Sequence, residues 1–186
     1  MSSLKLAKSL LFEDAIHAWG DLSRDLLRGR RVLLTGASGL VGSHFLAGLL
    51  QLRDELAGDL AIETVVHSDL PIWFAEDCVD GKLRVHRGDL GQATFIDSLP
   101  EADIVIHAAT YSQPSLFTKD PISTIRLNTT ATLSLLDKVA PQGKFLFLSS
   151  SEIYSGLEAP PYREDQSGLT DTTPMKSLKR VQIVWA

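Results

Sequence analysis

The sequence of 186 residues predicts an α/β fold built on a doubly wound parallel sheet. Three observations predict it: short strands rich in Val, Ile and Leu, helical segments between most of these strands, and a glycine turn directly after the first one. The composition, 44% hydrophobic and 22% charged, is typical of a soluble globular protein with a core. We therefore expect one domain, or one domain and part of a second.

The N-terminal segment, residues 1–29, is predicted as a helical extension that packs on the α/β domain of residues 30–186. Apolar side chains recur there at roughly helical spacing, among them Leu11, Ile16 and Trp19. No small-residue cleavage site closes its short apolar patch, so we do not expect a signal peptide.

The predicted strands are short apolar runs separated by turns or helices. They are RVLLTG (31–36), AIETVVH (61–67), a strand within KLRVHRGDL (82–90), ADIVIHAA (102–109) and GKFLFLSSS (143–151). The predicted long helices are residues 40–56 and 121–140, whereas residues 68–81 are predicted to be irregular. Residues 159–174, with Pro, Gly and Asp, are predicted as a loop in the position of an active-site flap.

The turn TGASGLVGSH carries three glycines at a spacing of three, between a strand and a helix. Gly36 allows the tight turn, Gly39 lets the backbone approach a pyrophosphate, and Gly42 lets the helix lie close to the strand. The helix N-terminus offers free N–H groups and a partial positive charge. This pattern favours a dinucleotide site over a purely structural turn. The further candidate contacts within the turn are Ser38, Leu40 and Val41.

Two acidic residues follow the second and third strands. Asp69 is the best candidate to hold the adenosine ribose, and if it misses the ribose then the choice between NAD and NADP stays open. Asp89, which precedes the candidate contact Leu90, either binds the adenine edge or caps a helix over residues 90–98; both interpretations remain.

Charge and composition exclude several classes of partner. A net charge of −5 without a basic stripe argues against nucleic acid, and no apolar run approaches the ~18 residues that span a bilayer. The single cysteine, Cys78, allows no internal disulfide and no multi-cysteine metal site. We expect a cytoplasmic protein without a metal.

Taken together, the motifs resemble those of the extended short-chain dehydrogenase/reductases, a family with a Rossmann-type fold that acts on nucleotide sugars. The matching pieces lie in the family's order across residues 30–155: TGASGLVGSH, GDL (88–90), HAAT (107–110), LNT (127–129) and SSSEIYS (149–155). The stretch QPSLFTKDPISTIRLNTTATLSLLDKV is most similar to that of the UDP-glucuronate decarboxylases and their dehydratase relatives.

The resemblance assigns roles to further residues. It implies that Ala108, Ala109, Thr110 and Ser149 line an NAD cofactor and that Asn128 supports the active-site helix. It also implies two catalytic residues: Ser150, bound to the sugar 4-oxygen, and Glu152, the counterpart of the decarboxylases' active-site glutamate. Dehydratases carry an Asp-Glu pair where this chain has Ser151-Glu152, which argues against dehydration.

The implied chemistry is a redox cycle on a UDP-sugar or a related substrate. Oxidation at the sugar 4-position gives a 4-keto intermediate that eases epimerisation, dehydration or decarboxylation, in surface-polysaccharide or related glycan biosynthesis. Intact family members are implied to be homodimers. His107 ends the fourth predicted strand and is predicted to be packed, or next to the cofactor, rather than a general base. The resemblance implies that Tyr154 packs, because the family's tyrosine at that position is not the catalytic one.

The resemblance requires a Tyr-x-x-x-Lys pair, in which a lysine ammonium lowers the pKa of a tyrosine one helical turn away. This chain has Met175 and Lys179 at those positions, so Lys179 is a candidate catalytic residue without its tyrosine. The family also continues with a sugar-binding region beyond Ala186, so the fold is expected to be truncated before that region. A shifted reading frame near Pro174, a shorter natural paralogue and a deliberately shortened chain remain as explanations.

Overall fold

The computed structural model describes residues 3–19, 24–111, 119–154, 156–157, 160–166 and 168. Its centre is a parallel five-stranded sheet with strand order β3-β2-β1-β4-β5. The strands are β1 (Arg30–Thr35), β2 (Leu60–Val66), β3 (Arg84–Arg87), β4 (Ala102–His107) and β5 (Val139–Phe147). The order turns back at the β1–β4 pair, which makes the sheet doubly wound and confirms the predicted fold class.

Helices and short turns connect the strands. The helices are α1 (Ser3–Trp19), α2 (Leu40–Glu55), α3 (Ala75–Val79), α4 (Ala93–Asp97), α5 (Pro121–Asn128) and α6 (Thr130–Leu136). The 3-10 turns are Arg24–Leu27, Ile72–Phe74 and Ser151–Tyr154. Within the described part of the chain, no helix has the length and apolarity that crossing a membrane requires.

Alternation along the strands divides the core into two layers, one on each face of the sheet. Val32 and Leu34 of β1 point into the layer shared with α2, whereas Leu33 points into the layer shared with α4 and α6. All three side chains are fully buried. The near-continuous apolar sequence of β1 is therefore explained by helices that cover both of its faces.

The N-terminal helix belongs to the first of these layers. Its residue Ala15 is 1% exposed and lies in the same cluster as the buried leucines of α2. At the outer side, the Lys8 ammonium lies 3.2 Å from the Asp77 carboxylate of α3. Helix α1 thus packs on the α/β domain, while the division into residues 1–29 and 30–186 stays a prediction.

The prediction that residues 68–81 are irregular is wrong for part of that range. A 3-10 turn over Ile72–Phe74 runs directly into α3. Phe74 is fully buried in the layer under α2, and burial of this large apolar side chain fixes the segment. The sequence pattern missed it because one buried aromatic in a short turn has no periodicity.

The long helix predicted over residues 121–140 is also wrong in its extent. It is interrupted at Thr129, whose φ of −121° and ψ of −71° are not helical, and it ends at Leu136. Hydroxyl groups here bond to the backbone of the preceding turn: Thr129 Oγ1 donates to the Ile125 carbonyl and Thr132 Oγ1 to the Asn128 carbonyl. Such side-chain bonds compete with regular helix geometry.

The fifth strand begins and ends four residues earlier than the predicted range of 143–151. Val139 pairs with Ala102 and Lys144 with Ile104, so β5 carries a bulge near Gln142, whose φ is +64°. The strand ends at Phe147, and Ser149 lies beyond the ladder. The serine-rich stretch is therefore a loop at the carboxyl edge of the sheet, where ligands bind in such folds.

Candidate functional site

The glycine turn between β1 and α2 is held by backbone contacts on two sides. Gly36 has a φ of +75°, and a Cβ built on it would lie 2.6 Å from the carbonyl carbon of Ala108. A Cβ on Gly42 would lie only 2.1 Å from the Gly36 carbonyl oxygen. Both positions therefore need glycine for the turn itself, in agreement with the roles predicted for them.

Gly39 is different, because neither its backbone angles nor its contacts with the described residues exclude a side chain there. Its φ is −79° and its ψ is 169°, which any residue adopts, and a Cβ would come no closer than 3.4 Å to the Gly36 oxygen. Gly39 lines both cavities described below. A Cβ at this position would fill space in the cleft, so the glycine keeps room for a group from outside the chain.

The first turn of α2 points its backbone amides toward the same space. The first bond within the helix runs from the Ser43 amide to the Gly39 carbonyl at 2.9 Å, so the amides of residues 40–42 precede it. Together with the helix dipole they form a site that suits phosphate oxygens. The pyrophosphate contact predicted for Gly39 fits this geometry and stays a prediction.

One cavity, of about 280 Å³, opens on the β2 and β3 side of the turn. Its lining includes the predicted contacts Gly36, Ser38, Gly39, Asp89, Leu90, Ala108, Ala109 and Thr110. On this side the lining consists of Val65 and Val66 of β2, His67 directly after that strand, and Gly88, Asp89 and Leu90 after β3. Size and lining fit the adenosine half of a dinucleotide.

A second cavity, of about 360 Å³, opens on the β4 and β5 side. Its lining includes the predicted residues Gly36, Gly39, Leu40, Val41, Gly42, Ala108, Thr110, Asn128, Ser149 and Ser150. The two cavities share Gly36, Gly39, Ala108, Thr110 and Tyr111, so they form one cleft across the glycine turn. The cleft lies at the carboxyl edge of the sheet, where the strand order turns back.

The imidazole of His107, which is 1% exposed, lies beneath the cleft and connects the segments that line it. Nε2 lies 3.4 Å from the Leu127 carbonyl, which only accepts, so Nε2 carries the proton. Nδ1 then accepts from the Thr35 hydroxyl at 2.7 Å, and the Thr35 oxygen accepts from the Ala109 amide at 3.3 Å. This chain of bonds joins the ends of β1 and β4 to α5.

Burial lowers the pKa of His107 to about 4, although the Leu127 carbonyl partly opposes the shift. The imidazole is therefore neutral near pH 7 and has both nitrogens engaged within the protein. It positions the cavity wall and is not available as a general base, as predicted.

Asp69, the candidate ribose ligand, lies outside the lining of the cleft. Its carboxylate is 90% exposed and 3.4 Å from Nε of Arg87. Strand β2 ends at Val66, so His67, and not Asp69, reaches the cavity. The predicted ribose ligand is therefore two residues too far along the chain. The sequence does not mark the residue at which β2 ends, because polar residues follow the strand without a sharp boundary.

Asp89 lines the first cavity, but it does not cap a helix. Helix α4 begins at Ala93 with Gln92 as its N-cap, whereas Oδ1 of Asp89 accepts from the Gly91 amide at 2.8 Å. The interpretation of Asp89 as a helix cap over 90–98 is thus wrong, and its contact with adenine stays a prediction.

The candidate catalytic residues are only partly described. Ser150 lines the second cavity, and its carbonyl accepts from the Ile153 amide at 3.2 Å. Glu152 lies on the 3-10 turn Ser151–Tyr154, but its side chain is outside the described part of the chain. Met175 and Lys179 lie outside the described residues altogether. Tyr154 stacks on Tyr162 with ring centroids 5.1 Å apart, in agreement with a packing role.

Several lining residues were missed by the sequence analysis. In the first cavity they are Val65, Val66, His67, Gly88 and Leu127, in the second Thr124, Phe147 and Leu148, and in both Tyr111. Most of these residues lie at or directly after the carboxyl end of a strand. Ligands bind at the carboxyl ends of the strands in parallel sheets, and this rule would have found them. Thr124 stands one helical turn before Asn128 on α5, and Nδ2 of the Asn128 side chain donates to the Thr124 carbonyl at 2.8 Å.

Comparison with known proteins finds the same fold and sequence pattern elsewhere. The chain is 29% identical over 147 residues to UDP-glucuronic acid decarboxylase 1 of Danio rerio, covering 75% of this chain and 32% of the relative. It is 32% identical over 141 residues to UDP-glucose 4-epimerase of Azospirillum brasilense, covering 73% and 38%. The chain thus spans about a third of the length of these curated relatives.

A solved structure, MoeE5 in complex with UDP-glucuronic acid and NAD, matches with a TM-score of 0.61 at 25% identity. The match covers 84% of this chain and 48% of that one. The family model described as the NAD dependent epimerase/dehydratase family matches residues 32–180, which is most of the sequence. The glycine cleft, the sheet order and these matches agree, and the chain belongs to the NAD dependent epimerase/dehydratase family.

Proposed function

We propose that this chain is the NAD-binding part of a nucleotide-sugar modifying enzyme that works through a 4-keto sugar. The observation that carries the proposal is Gly39: the protein's own backbone does not need a glycine there, and a Cβ would stand in the cleft. The relatives support the substrate class, since their names specify UDP-glucuronic acid or UDP-glucose. The proposed domain division is an extension of residues 1–29 and a nucleotide-binding domain of residues 30–186.

The residues present fit NAD by the size of the two joined cavities and by the backbone amides at the glycine turn. Backbone amides at the start of α2 would bind the pyrophosphate, and the first cavity would hold adenosine between His67 and Asp89. Ala108, Thr110 and Ser149 would border the nicotinamide half in the second cavity. When bound, the cofactor would accept the hydride that leaves the sugar 4-carbon.

The chain's own groups would act on the sugar. Ser150, in the second cavity, would bind the sugar 4-oxygen and orient it, and Glu152 would serve the step after oxidation. Removal of the 4-hydroxyl proton needs a base, and the thioether of Met175 has no titratable proton. We therefore expect little or no turnover by this chain, with Lys179 lacking the tyrosine that it would activate.

Met175 also favours a second candidate function, a non-catalytic nucleotide-binding or assembly module. The enzyme and the nucleotide-binding module both require NAD binding, which isothermal titration calorimetry on the 186-residue chain measures directly, whereas an assembly role does not. Absence of NAD binding would contradict both. The coding sequence from Asp171 to beyond Ala186 separates them: a one-base shift that restores Tyr-x-x-x-Lys supports the enzyme, and confirmed Met175 supports the module.

Formation of a product from UDP-glucuronate or UDP-glucose by this chain, followed by mass spectrometry, would contradict the module.

A cytoplasmic location and homodimerisation of the longer enzyme remain parts of the proposal. The proposed dimer would use the α5–α6 region, where Ile122 is 57% and Leu133 is 65% exposed.

A further inference from the structure

We propose that the adenosine end of the cleft tolerates a 2′-phosphate, so that this chain binds NADP as well as NAD. The inference rests on the proposed function and concerns the side chains at the ends of β2 and β3. Discrimination against NADP normally comes from a carboxylate that follows the second strand and bonds the ribose 2′-hydroxyl. A carboxylate in that place also repels a phosphate.

That carboxylate is absent from the cavity lining in the described part of the chain. The acidic residue that follows β2 is Asp69, which lies outside the lining and faces solvent at 90% exposure. The position next to the strand end is occupied by His67, whose exposed imidazole lines the cavity. An imidazole can donate a hydrogen bond to a phosphate oxygen and carries no negative charge to repel it.

The remaining acid of this cavity, Asp89, belongs to a different strand end. It follows β3, on the far side of β2 from β1, and one of its oxygens already accepts from the Gly91 amide at 2.8 Å. The ribose subsite of a dinucleotide lies at the end of the second strand. Asp89 therefore does not replace the missing ribose carboxylate.

Arg87 does not line the cavity itself, but it directly precedes Gly88, which does, and it places a cation at the same edge of the sheet. It is the last residue of β3, pairs in register with Val66, and its guanidinium is 61% exposed. Its present partner is the Asp69 carboxylate at 3.4 Å, and an exposed pair of this kind is weak. A phosphate monoester carries more charge and more acceptor oxygens than a carboxylate, so it competes well for the guanidinium.

Calorimetric titration of the full chain with NAD and with NADP tests the inference. We expect the two Kd values to lie within about tenfold of each other. His67→Asp places a carboxylate at the cavity rim, and we expect it to weaken NADP at least tenfold relative to NAD. Arg87→Gln should weaken NADP at least threefold and leave NAD unchanged.

Arg84→Gln is the matched control, because it removes the same charge from the same strand. Arg84 is the first residue of β3, at the end of the strand away from the cleft, and is paired with Glu63 at 3.6 Å, so both affinities should be unchanged. The inference is overturned if NAD binds and NADP binds more than about tenfold more weakly. It is also overturned if His67→Asp leaves the ratio of the two Kd values as it was. Failure of both nucleotides to bind would instead refute the proposed function.

Discussion

The pH dependence of stability should report the buried state of His107. The imidazole is 1% exposed, and its pKa is lowered to about 4 from an ordinary value of 6.5, mainly by burial. As the pH falls below 6.5 the unfolded chain takes up a proton that the folded chain does not accept until about pH 4. The free energy of unfolding should therefore decrease as the pH falls through this window, and be fully present above it.

The size of the effect follows from the difference between the two pKa values. A difference of about 2.5 at about 1.36 kcal/mol for each pH unit gives roughly 3 kcal/mol lost between pH 6.5 and 4. Acidic residues such as Asp103, whose pKa is lowered by the Arg31 amide and the Arg30 guanidinium, contribute to acid destabilisation mainly at lower pH. They contribute equally in a variant that lacks only the imidazole.

Urea denaturation at several pH values between 7.5 and 4, for the wild-type chain and His107→Asn, isolates this contribution. We expect the variant to be less stable at pH 7.5 and to show a flatter dependence on pH, so that the two curves converge toward pH 4. His17→Asn is the control, because His17 is exposed on α1 and the variant keeps His107. Parallel curves for wild type and His107→Asn would refute the reasoning.

Substitutions at three positions test the glycine turn, the core and a helix cap. Gly42→Ala should cost roughly 1–3 kcal/mol in urea denaturation, because its Cβ would lie 2.1 Å from the Gly36 oxygen; unchanged stability would contradict the geometry of the turn. Phe74→Ala should cost about 3–5 kcal/mol, because it empties a fully buried site, and Phe74→Leu should lose less. Asp120→Ala should cost about 1 kcal/mol, since Asp120 accepts from the Ser123 amide at 3.0 Å as the N-cap of α5; Asp120→Asn, which keeps an acceptor, should retain most of that stability.

The strands of the sheet and the glycine turn could be predicted because each depends on local sequence. The apolar run before Gly36 and the spacing of the three glycines specify a strand, a tight turn and a helix without reference to the rest of the chain. Residues of the cleft after β4 and β5, such as Thr110 and Ser149, followed from the order of motifs along the chain.

Features set by distant contacts could not be predicted. Glu63 stands in the apolar β2 and is 3% exposed, yet no sequence pattern marked it as buried. It is accommodated because Nε2 of His86 lies 2.6 Å and Nε of Arg31 lies 3.3 Å from its carboxylate oxygens, across two neighbouring strands. His67, and not Asp69, lines the cavity because β2 ends at Val66, and the sequence does not show where the strand ends.

The break in the helix after Asn128 has a similar origin. Local sequence favoured one long helix, because leucines recur through the segment. The competing bonds of Thr129 and Thr132 to backbone carbonyls, and the early start of β5 at Val139, changed its extent. Strand pairing of Val139 with Ala102 is a tertiary contact that overrides helix propensity.

The central claim is that the space beside Gly39 binds the pyrophosphate of NAD, and the direct test is the NAD affinity of Gly39→Ala. Backbone angles and the 3.4 Å clearance predict a variant as stable as wild type within about 0.5–1 kcal/mol. We predict that wild type binds NAD and that the variant binds it at least tenfold more weakly, measured by calorimetry beside urea denaturation. Equal affinity of the two stable proteins for NAD would contradict the account.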